Sequence, residues 1–485
     1  MPEELSVEQI RKRTITAFFS LTFRRLALQA ITFASINLIL ARIYPPETGI
    51  LGIFNLGTAV IAAISYFSDI GLAAALIQKK EKVTQEDLRT TFTIQEILIG
   101  ILTLIIFFAA PAIATFYNLD NSGVWLIRAL AIAFFVSSFK VIPSVLLERQ
   151  LNFAPLVAVE IFETLVFNLI LLSVAFLGFG LWSFSISAIS RSVIGAAALF
   201  LIAPWKIRFG LTKDSAKALL SFGIPFQANS FLALIKDRLV PIFVAKVIGA
   251  AGLSLVTWSQ ALAFLPLEAL NIVIRITFPA YSRLQEKKEE LKAAIEKSLF
   301  ATVALVYPAL FGLLAVAPSI VYHVVSVKWQ PALPSLYLFA LSTFWATIST
   351  TFTNALTAIG QIKIVLKIMI FWTILTWILT PIFVLSFGFI GVGIASAVIS
   401  LTSILPILAL KKFVKISIIK TIYRPLVASI LMGFTVFIIS QNLVTNILSL
   451  IFVIIFGALF YGVLIFLLAK DEVLAGLKEV LKRGK

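Results

Sequence analysis

The sequence predicts an all-α, polytopic membrane protein of about fourteen transmembrane helices, built as two six-helix lobes related by a pseudo-two-fold axis along the membrane normal, plus two extra helices. Three observations carry that prediction. Of 485 residues, 60% are hydrophobic and the mean hydropathy is +1.05, too apolar for a water-exposed surface. Runs of about 20 apolar residues, the length that crosses about 30 Å of hydrocarbon at 1.5 Å per residue, recur almost end to end. Lys and Arg concentrate in alternate connections between those runs.

Residues 1–14 read as a cytoplasmic segment. Arg11, Lys12 and Arg13 precede an apolar run of full span length, so the first run is expected to stay as an anchor rather than be cleaved as a signal peptide. The N-lobe, 15–203, holds spans at 15–40, 50–77, 91–116, 125–147, 156–176 and 181–203. A cytoplasmic linker at 204–218 leads to the C-lobe, 219–410, with spans at 219–248, 253–279, 299–325, 332–359, 364–385 and 392–410. A basic loop opens the 411–469 segment, whose spans lie at 426–440 and 447–469, and 470–485 is a cytoplasmic tail. The thirteenth span is the shortest, and twelve spans is the lower count.

With the N-terminus inside, the cytoplasmic segments collect 28 of the 40 basic residues, and the outer connections hold only Arg42, Lys246 and Lys328. This bias sets both termini in the cytoplasm, at the inner membrane of the cell. It also accounts for most of the formal charge of +17, so nucleic acid is not an expected partner, whereas anionic membrane lipid is. Nine basic residues remain inside spans: Arg24, Arg25, Arg128, Lys140, Arg191, Lys236, Arg238, Arg275 and Lys367. Charge there costs about 2.5–3.5 kcal/mol per residue on insertion scales and is expected to face a solvated or substrate-filled interior.

The halves repeat at offsets between 204 and 211. Residues 129–150 align without a gap on 340–361, Ala110-Pro111-Ala112-Ile113 on Ala317-Pro318-Ser319-Ile320, Gly178-Phe179 on Gly388-Phe389, and Ala41-Arg42-Ile43 on Ala245-Lys246-Val247. Six spans per repeat gives both halves the same orientation, an arrangement able to rock around a site between the lobes.

In the first span Thr22, Arg25, Gln29 and Thr32 recur at spacings of three, four and three on one helical face, with Arg24 bordering it about 100° away. Lipid cannot solvate that face, so it is expected to look into the protein interior. The seventh span places Asn229, Lys236, Asp237 and Arg238 near its middle, with Asp237 as an internal counter-ion. Two basic sites, one per lobe, suit an anion, because guanidinium matches phosphate oxygens bidentately and keeps its charge when desolvated. The alternative for these residues is inter-helix salt bridging. Arg191, Lys140 and Arg275 are further cationic candidates, with Glu160 and Glu163 as acids able to neutralise them.

Other chemistry is sparse. There is no GxxxxGK[ST] phosphate loop, and with one His (His323) and no Cys neither a metal centre nor a cofactor is expected. The ionic requirement left open is a coupling proton or sodium ion, for which Asp69, Glu96, Glu160, Glu163 and Glu268 are the candidates.

Over about residues 15–410 the chain resembles the polysaccharide exporter, or oligosaccharide flippase, family of the Wzx and colanic acid exporter type, within the multidrug/oligosaccharidyl-lipid/polysaccharide superfamily. The resemblance rests on Leu40-Ala41-Arg42 with Pro46-Glu47, Phe67-Ser68-Asp69-Ile70-Gly71-Leu72 with Ala75-Leu76-Ile77-Gln78, and Leu177-Gly178-Phe179-Gly180-Leu181-Trp182. It continues in Phe222-Gly223-Ile224-Pro225, Phe278-Pro279-Ala280 with Ser282-Arg283-Leu284-Gln285, and Lys328-Trp329. The family's Asp in the seventh span corresponds to Asp237, followed by Lys246 and Gly249. Ser254 and Val256 depart from the family's Gly and Tyr, which puts the packing at the start of the eighth span in question.

The resemblance implies an ion-coupled flippase, not an enzyme, whose substrate is a polyprenyl-pyrophosphate-linked oligosaccharide and whose partners include polysaccharide polymerase and export machinery. In that reading Arg24, Arg25 and Arg238 hold the pyrophosphate, Asp237 organises the charge, and Thr22, Gln29 and Thr32 line the sugar path. A multidrug exporter of the same fold is one alternative, disfavoured because the spans hold nine basic residues against six acids. A membrane polymerase or ligase is the other, disfavoured because every outer connection is about ten residues or fewer.

Overall fold

The computed structural model describes residues 28–66, 68, 71–79, 83–150, 152–221, 240–472 and 474, without the side chains of 78, 269, 271, 272, 275 and 276. Its regular structure is entirely helical among the described residues. The chain divides into two compact units, Met1–Ser254 and Leu255–Lys485.

The first unit begins with α1 (Leu28–Ile43), wound as a π-helix over Phe33–Leu40, then α2 (Ile50–Ser65) and the short α3 (Leu72–Gln78). The expected second span is therefore two helices, parted before Gly71, whose φ of +70° only glycine adopts without strain. The long α4 (Gln85–Phe116) starts in a capping box of Thr84 and Asp87. The fourth expected span is also broken, into α5 (Asn121–Ser138) and α6 (Val141–Arg149). Pro143 explains the break, since it has no N–H to offer the carbonyl of Phe139 four residues back. Two uninterrupted spans follow, α7 (Ala154–Phe176) and α8 (Leu181–Ile202).

The linker is tied to α4: the amides of Gly210 and Thr212 donate to the Thr93 and Thr90 hydroxyls at 2.9 and 3.1 Å. α9 (Val240–Phe264) contains Gly249 at φ +70°, ψ 177°, so the chain turns within it. Its stretch up to Ser254 packs in the first unit. There the Gly52 amide donates to Ser254 Oγ at 2.7 Å, and a Cβ on Gly52 would stand 1.9 Å from the Ala250 carbonyl oxygen. Ser254, where the family resemblance fails, thus makes a specific buried contact.

In the second unit α10 (Leu267–Arg283) is separate from α9, so the eighth expected span is not one helix; Pro266 stands at the join. α11 (Lys288–Ser319), a 3₁₀ turn (Val327–Ala332) and α12 (Leu333–Ala358) follow. Next come α13 (Ile362–Phe387), α14 (Ile390–Leu401) and α15 (Ile404–Lys411). Pro406 parts α14 from α15 as Pro143 parts α5 from α6: it cannot donate to the Thr402 carbonyl, which accepts from the Leu405 amide at 2.9 Å in a tighter turn instead. α16 (Ile418–Leu443) is 26 residues long, so the thirteenth span is a full one, reaching beyond the expected 426–440. α17 (Ile447–Leu468) closes the described chain.

Eleven helices in the described residues are long and apolar enough to cross a membrane, and α1 and α2 are shorter apolar helices. The second unit's core packs α10, α11, α12 and α15 around Tyr281, Tyr307 and Phe352, while α16 and α17 pack on the C-terminal half of α11 through Ala315, Met432 and Val453. Trp329, from the Lys328-Trp329 motif, is fully buried against Trp258 with ring centroids 5.2 Å apart.

Candidate functional site

The charge in the first unit converges on one buried carboxylate. Lys140 sits at the Pro143 break, where the interrupted helix lets its side chain reach across to α7. Its Nζ lies 2.7 Å from Glu163 Oε1. Arg191, on α8, approaches the other oxygen, with Nε 3.7 Å from Glu163 Oε2. The Glu163 side chain is 3% exposed, Lys140 22% and Arg191 43%. Two cations around one acid leave the cluster at +1. Gly195 makes room for the carboxylate, since a Cβ there would stand 1.7 Å from Glu163 Oε1.

Aromatic rings continue the cluster. The Arg191 guanidinium lies 5.8 Å from the centroid of the Phe167 ring. Phe54, from α2, stacks on Phe184 at 4.2 Å and on Phe167 at 6.5 Å. A half-buried hydroxyl, Ser137, donates to the buried Ser192 of α8 at 3.1 Å. On α4, Glu96 is buried and accepts from the Ser138 hydroxyl at 2.9 Å through Oε2, while its Oε1 has no partner among the described residues. Asn168 Oδ1 is likewise buried without one.

Charge in a span identified Lys140, Arg191, Glu163 and Glu96, and Glu163 was one of two acids expected to neutralise Lys140 and Arg191; the structure brings those three together. Gly195, Phe167, Phe54 and Ser138 were missed. An isolated glycine in a serine-rich span was the one available signal, and it does not say which neighbour needs the space.

The remaining candidates are distributed as follows. Thr22, Arg24, Arg25, Asp69, Asn229, Lys236, Asp237 and Arg238 lie outside the described residues, as does the side chain of Arg275. Gln29 and Thr32 are partly buried on α1. Glu160 and Glu268 are partly buried and engaged by neighbours. Two other span cations have structural explanations. Arg128 donates to the Phe107 carbonyl, and Lys367 is exposed in the first two turns of α13, where a long side chain reaches the headgroups.

Fold and site together define a multi-pass, all-helical membrane protein that keeps an excess cation inside a helix bundle. The family model described as polysaccharide biosynthesis protein matches residues 39–334, more than half of the chain, and the chain belongs to that family. It is 26% identical over 332 residues to the lipopolysaccharide biosynthesis protein WzxC of Escherichia coli (strain K12), a match covering 67% of this chain and 66% of that protein. It is 24% identical over 325 residues to the succinoglycan biosynthesis transport protein ExoT of Rhizobium meliloti (strain 1021), covering 67% and 65%. These matches span just under two thirds of the relatives' lengths.

Among solved structures, the chain is similar to the lipid II flippase MurJ in its inward closed conformation, with a TM-score of 0.73, 16% identity, and coverage of 95% of this chain and 100% of that one. An inward-facing multidrug resistance transporter of the MATE family gives a TM-score of 0.60 at 16% identity, over 81% of this chain and 99% of that one. Both likenesses are of fold.

Proposed function

We propose that this protein is a flippase that moves polyprenyl-pyrophosphate-linked oligosaccharide units from the inner to the outer leaflet of the cytoplasmic membrane by alternating access, for cell-surface polysaccharide synthesis. The observation that carries this reading is the combination of membership in the polysaccharide biosynthesis protein family with the fold of a lipid II flippase across 95% of the chain. The cationic excess inside the spans supports an anionic cargo over an organic cation. Both termini are cytoplasmic in this reading, and Arg24, Arg25 and Arg238 take the pyrophosphate, with Asp237 as their counter-ion and Thr22, Gln29 and Thr32 along the sugar path.

A proton or sodium ion drives the cycle. Glu96 is a strong candidate to carry it, because a buried carboxylate with one unpartnered oxygen has room for a cation or proton that a fully bonded one lacks. Polymerase and export machinery would receive the product. The test is translocation of a fluorescent lipid-linked oligosaccharide in proteoliposomes containing the full chain. The reading predicts movement of labelled headgroup to the far leaflet, stimulated by an ion gradient, and no movement at all with wild-type protein would overturn it.

A further inference from the structure

We propose that Arg191 is a phosphate receptor inside the first unit, held ready by Glu163 and Phe167, and that Glu163 is the resident anion which a phosphate group of the cargo replaces at its guanidinium. The proposal rests on the flippase reading for the identity of that cargo.

The position of Arg191 on α8 is the first argument. It is the eleventh of 22 residues, so about 15 Å of helix separates it from either end. That is too far for its side chain to reach the headgroup region comfortably. The exposed apolar residues Trp182, Ile186 and Val193 mark the lipid-facing side of the helix. At about 100° per residue, Arg191 lies about 180° from Trp182 and about 160° from Val193. The face it shares is the interior one, with buried Phe184, Ser187 and Gly195. A side chain 43% exposed on the side of α8 opposite those apolar residues requires water or a polar ligand.

The second argument is the inequality of the two ion pairs. Lys140 holds Glu163 at hydrogen-bond distance, 2.7 Å, whereas Arg191 stands off, its nearest approach being Nε at 3.7 Å. Lys140 and Glu163 therefore neutralise one another, and Arg191 supplies the net positive charge. Among the described residues its ion pair is with Glu163 alone. A planar fork of donors, with a carboxylate near its Nε and a ring 5.8 Å from its central carbon, matches two oxygens of one phosphate. Lysine at this position would be a point charge without that fork.

The experiment is equilibrium binding to the purified full-length protein, with inorganic pyrophosphate, farnesyl pyrophosphate and farnesol as probes. The expected result is binding of both pyrophosphates but not of farnesol, with Arg191→Ala weakening both about tenfold, the loss of one charge-assisted contact. Arg191→Lys should fall between wild type and Arg191→Ala. Glu163→Gln should bind both more tightly, because the competing anion is gone.

Pyrophosphate affinity unchanged in Arg191→Ala, or equal or weaker affinity in Glu163→Gln, overturns the proposal. If inorganic pyrophosphate binds as tightly as the prenyl form, the site recognises free phosphate; if only the prenyl form binds, it recognises a lipid headgroup. Should Glu163→Gln fail to fold, acylation of Lys140 in the wild-type chain replaces it. Phosphate arriving at Arg191 disturbs Glu163 and must change the Lys140 rate, and an unchanged rate overturns the proposal. These measurements need no transport, so a chain that flips glycan lipid while binding is insensitive to Arg191 refutes this site and leaves the flippase reading standing.

Discussion

Arg128 donates through Nε to the carbonyl oxygen of Phe107, 3.2 Å away, and that carbonyl is the one Pro111 leaves without a helical donor. A proline has no N–H for the residue four positions before it, so α4 carries an orphan acceptor where no water reaches in hydrocarbon. Arg128 supplies the missing donor from α5, its guanidinium resting 4.7 Å from the Phe107 ring and 5.0 Å from Trp125. A charged residue that looked functional by its position in a span is explained by a proline on the next helix.

Replacing Arg128 by Met should lower stability by about 1–3 kcal/mol, the cost of an unsatisfied buried acceptor. In a Pro111→Ala background, which restores the helical donor, the same substitution should cost clearly less. Thermal unfolding in detergent across the four variants measures the coupling, and additive losses would contradict the assignment.

The second unit uses the same device. Tyr461 on α17 donates its hydroxyl to the carbonyl of Ala304 at 2.9 Å, the acceptor released by Pro308 in α11. Tyr461→Phe should loosen α17 by about 1 kcal/mol. Hydrogen exchange should speed up across Ile447–Leu468 before the rest of the unit is affected, and Pro308→Ala should abolish the difference between Tyr and Phe.

Gly195→Ala places a methyl group 1.7 Å from a Glu163 oxygen and must push the carboxylate from its seat. We expect a loss of about 1–3 kcal/mol from overpacking. The substitution should be less harmful when Glu163 is already shortened to Ala. A Gly195→Ala protein as stable as wild type would mean the carboxylate has another place to go.

The chain has no cysteine, so each engineered one is a unique reporter. In sealed, right-side-out vesicles Lys412→Cys should be protected from a membrane-impermeant maleimide and Lys328→Cys should react. The reverse pattern would invert the topology inferred from the basic loops.

Much of the fold was legible because hydrocarbon imposes a simple rule: backbone must be hydrogen-bonded within helices, and helices long enough to cross must be apolar. Run length and basic loops follow from that rule and can be read residue by residue. The divisions at Gly71 and at Thr402-Ser403 were harder, because an apolar run has the same composition whether or not a proline or glycine parts it. The length of α16 was underestimated for a related reason. Its first turns carry Lys420 and Arg424, yet they stay helical, with Arg424 paired to Glu472.

The sequence offered Glu160 and Glu163 as acids able to neutralise Lys140, Arg191 and Arg275, and did not say which acid meets which cation. Lys140, Glu163 and Arg191 are 23 and 28 residues apart in successive pairs, and periodicity relates residues within one helix, not across three. By itself the sequence determined an all-helical membrane chain, its loop charge asymmetry and its family, all properties of local composition. Only the tertiary structure decided which span charges are spoken for. Arg128 serves an orphaned carbonyl, Lys140 is held tightly by Glu163, and Arg191 stands farther from the same carboxylate. That choice depends on which helix faces meet and on distances of 2.7 against 3.7 Å, and packing alone sets both.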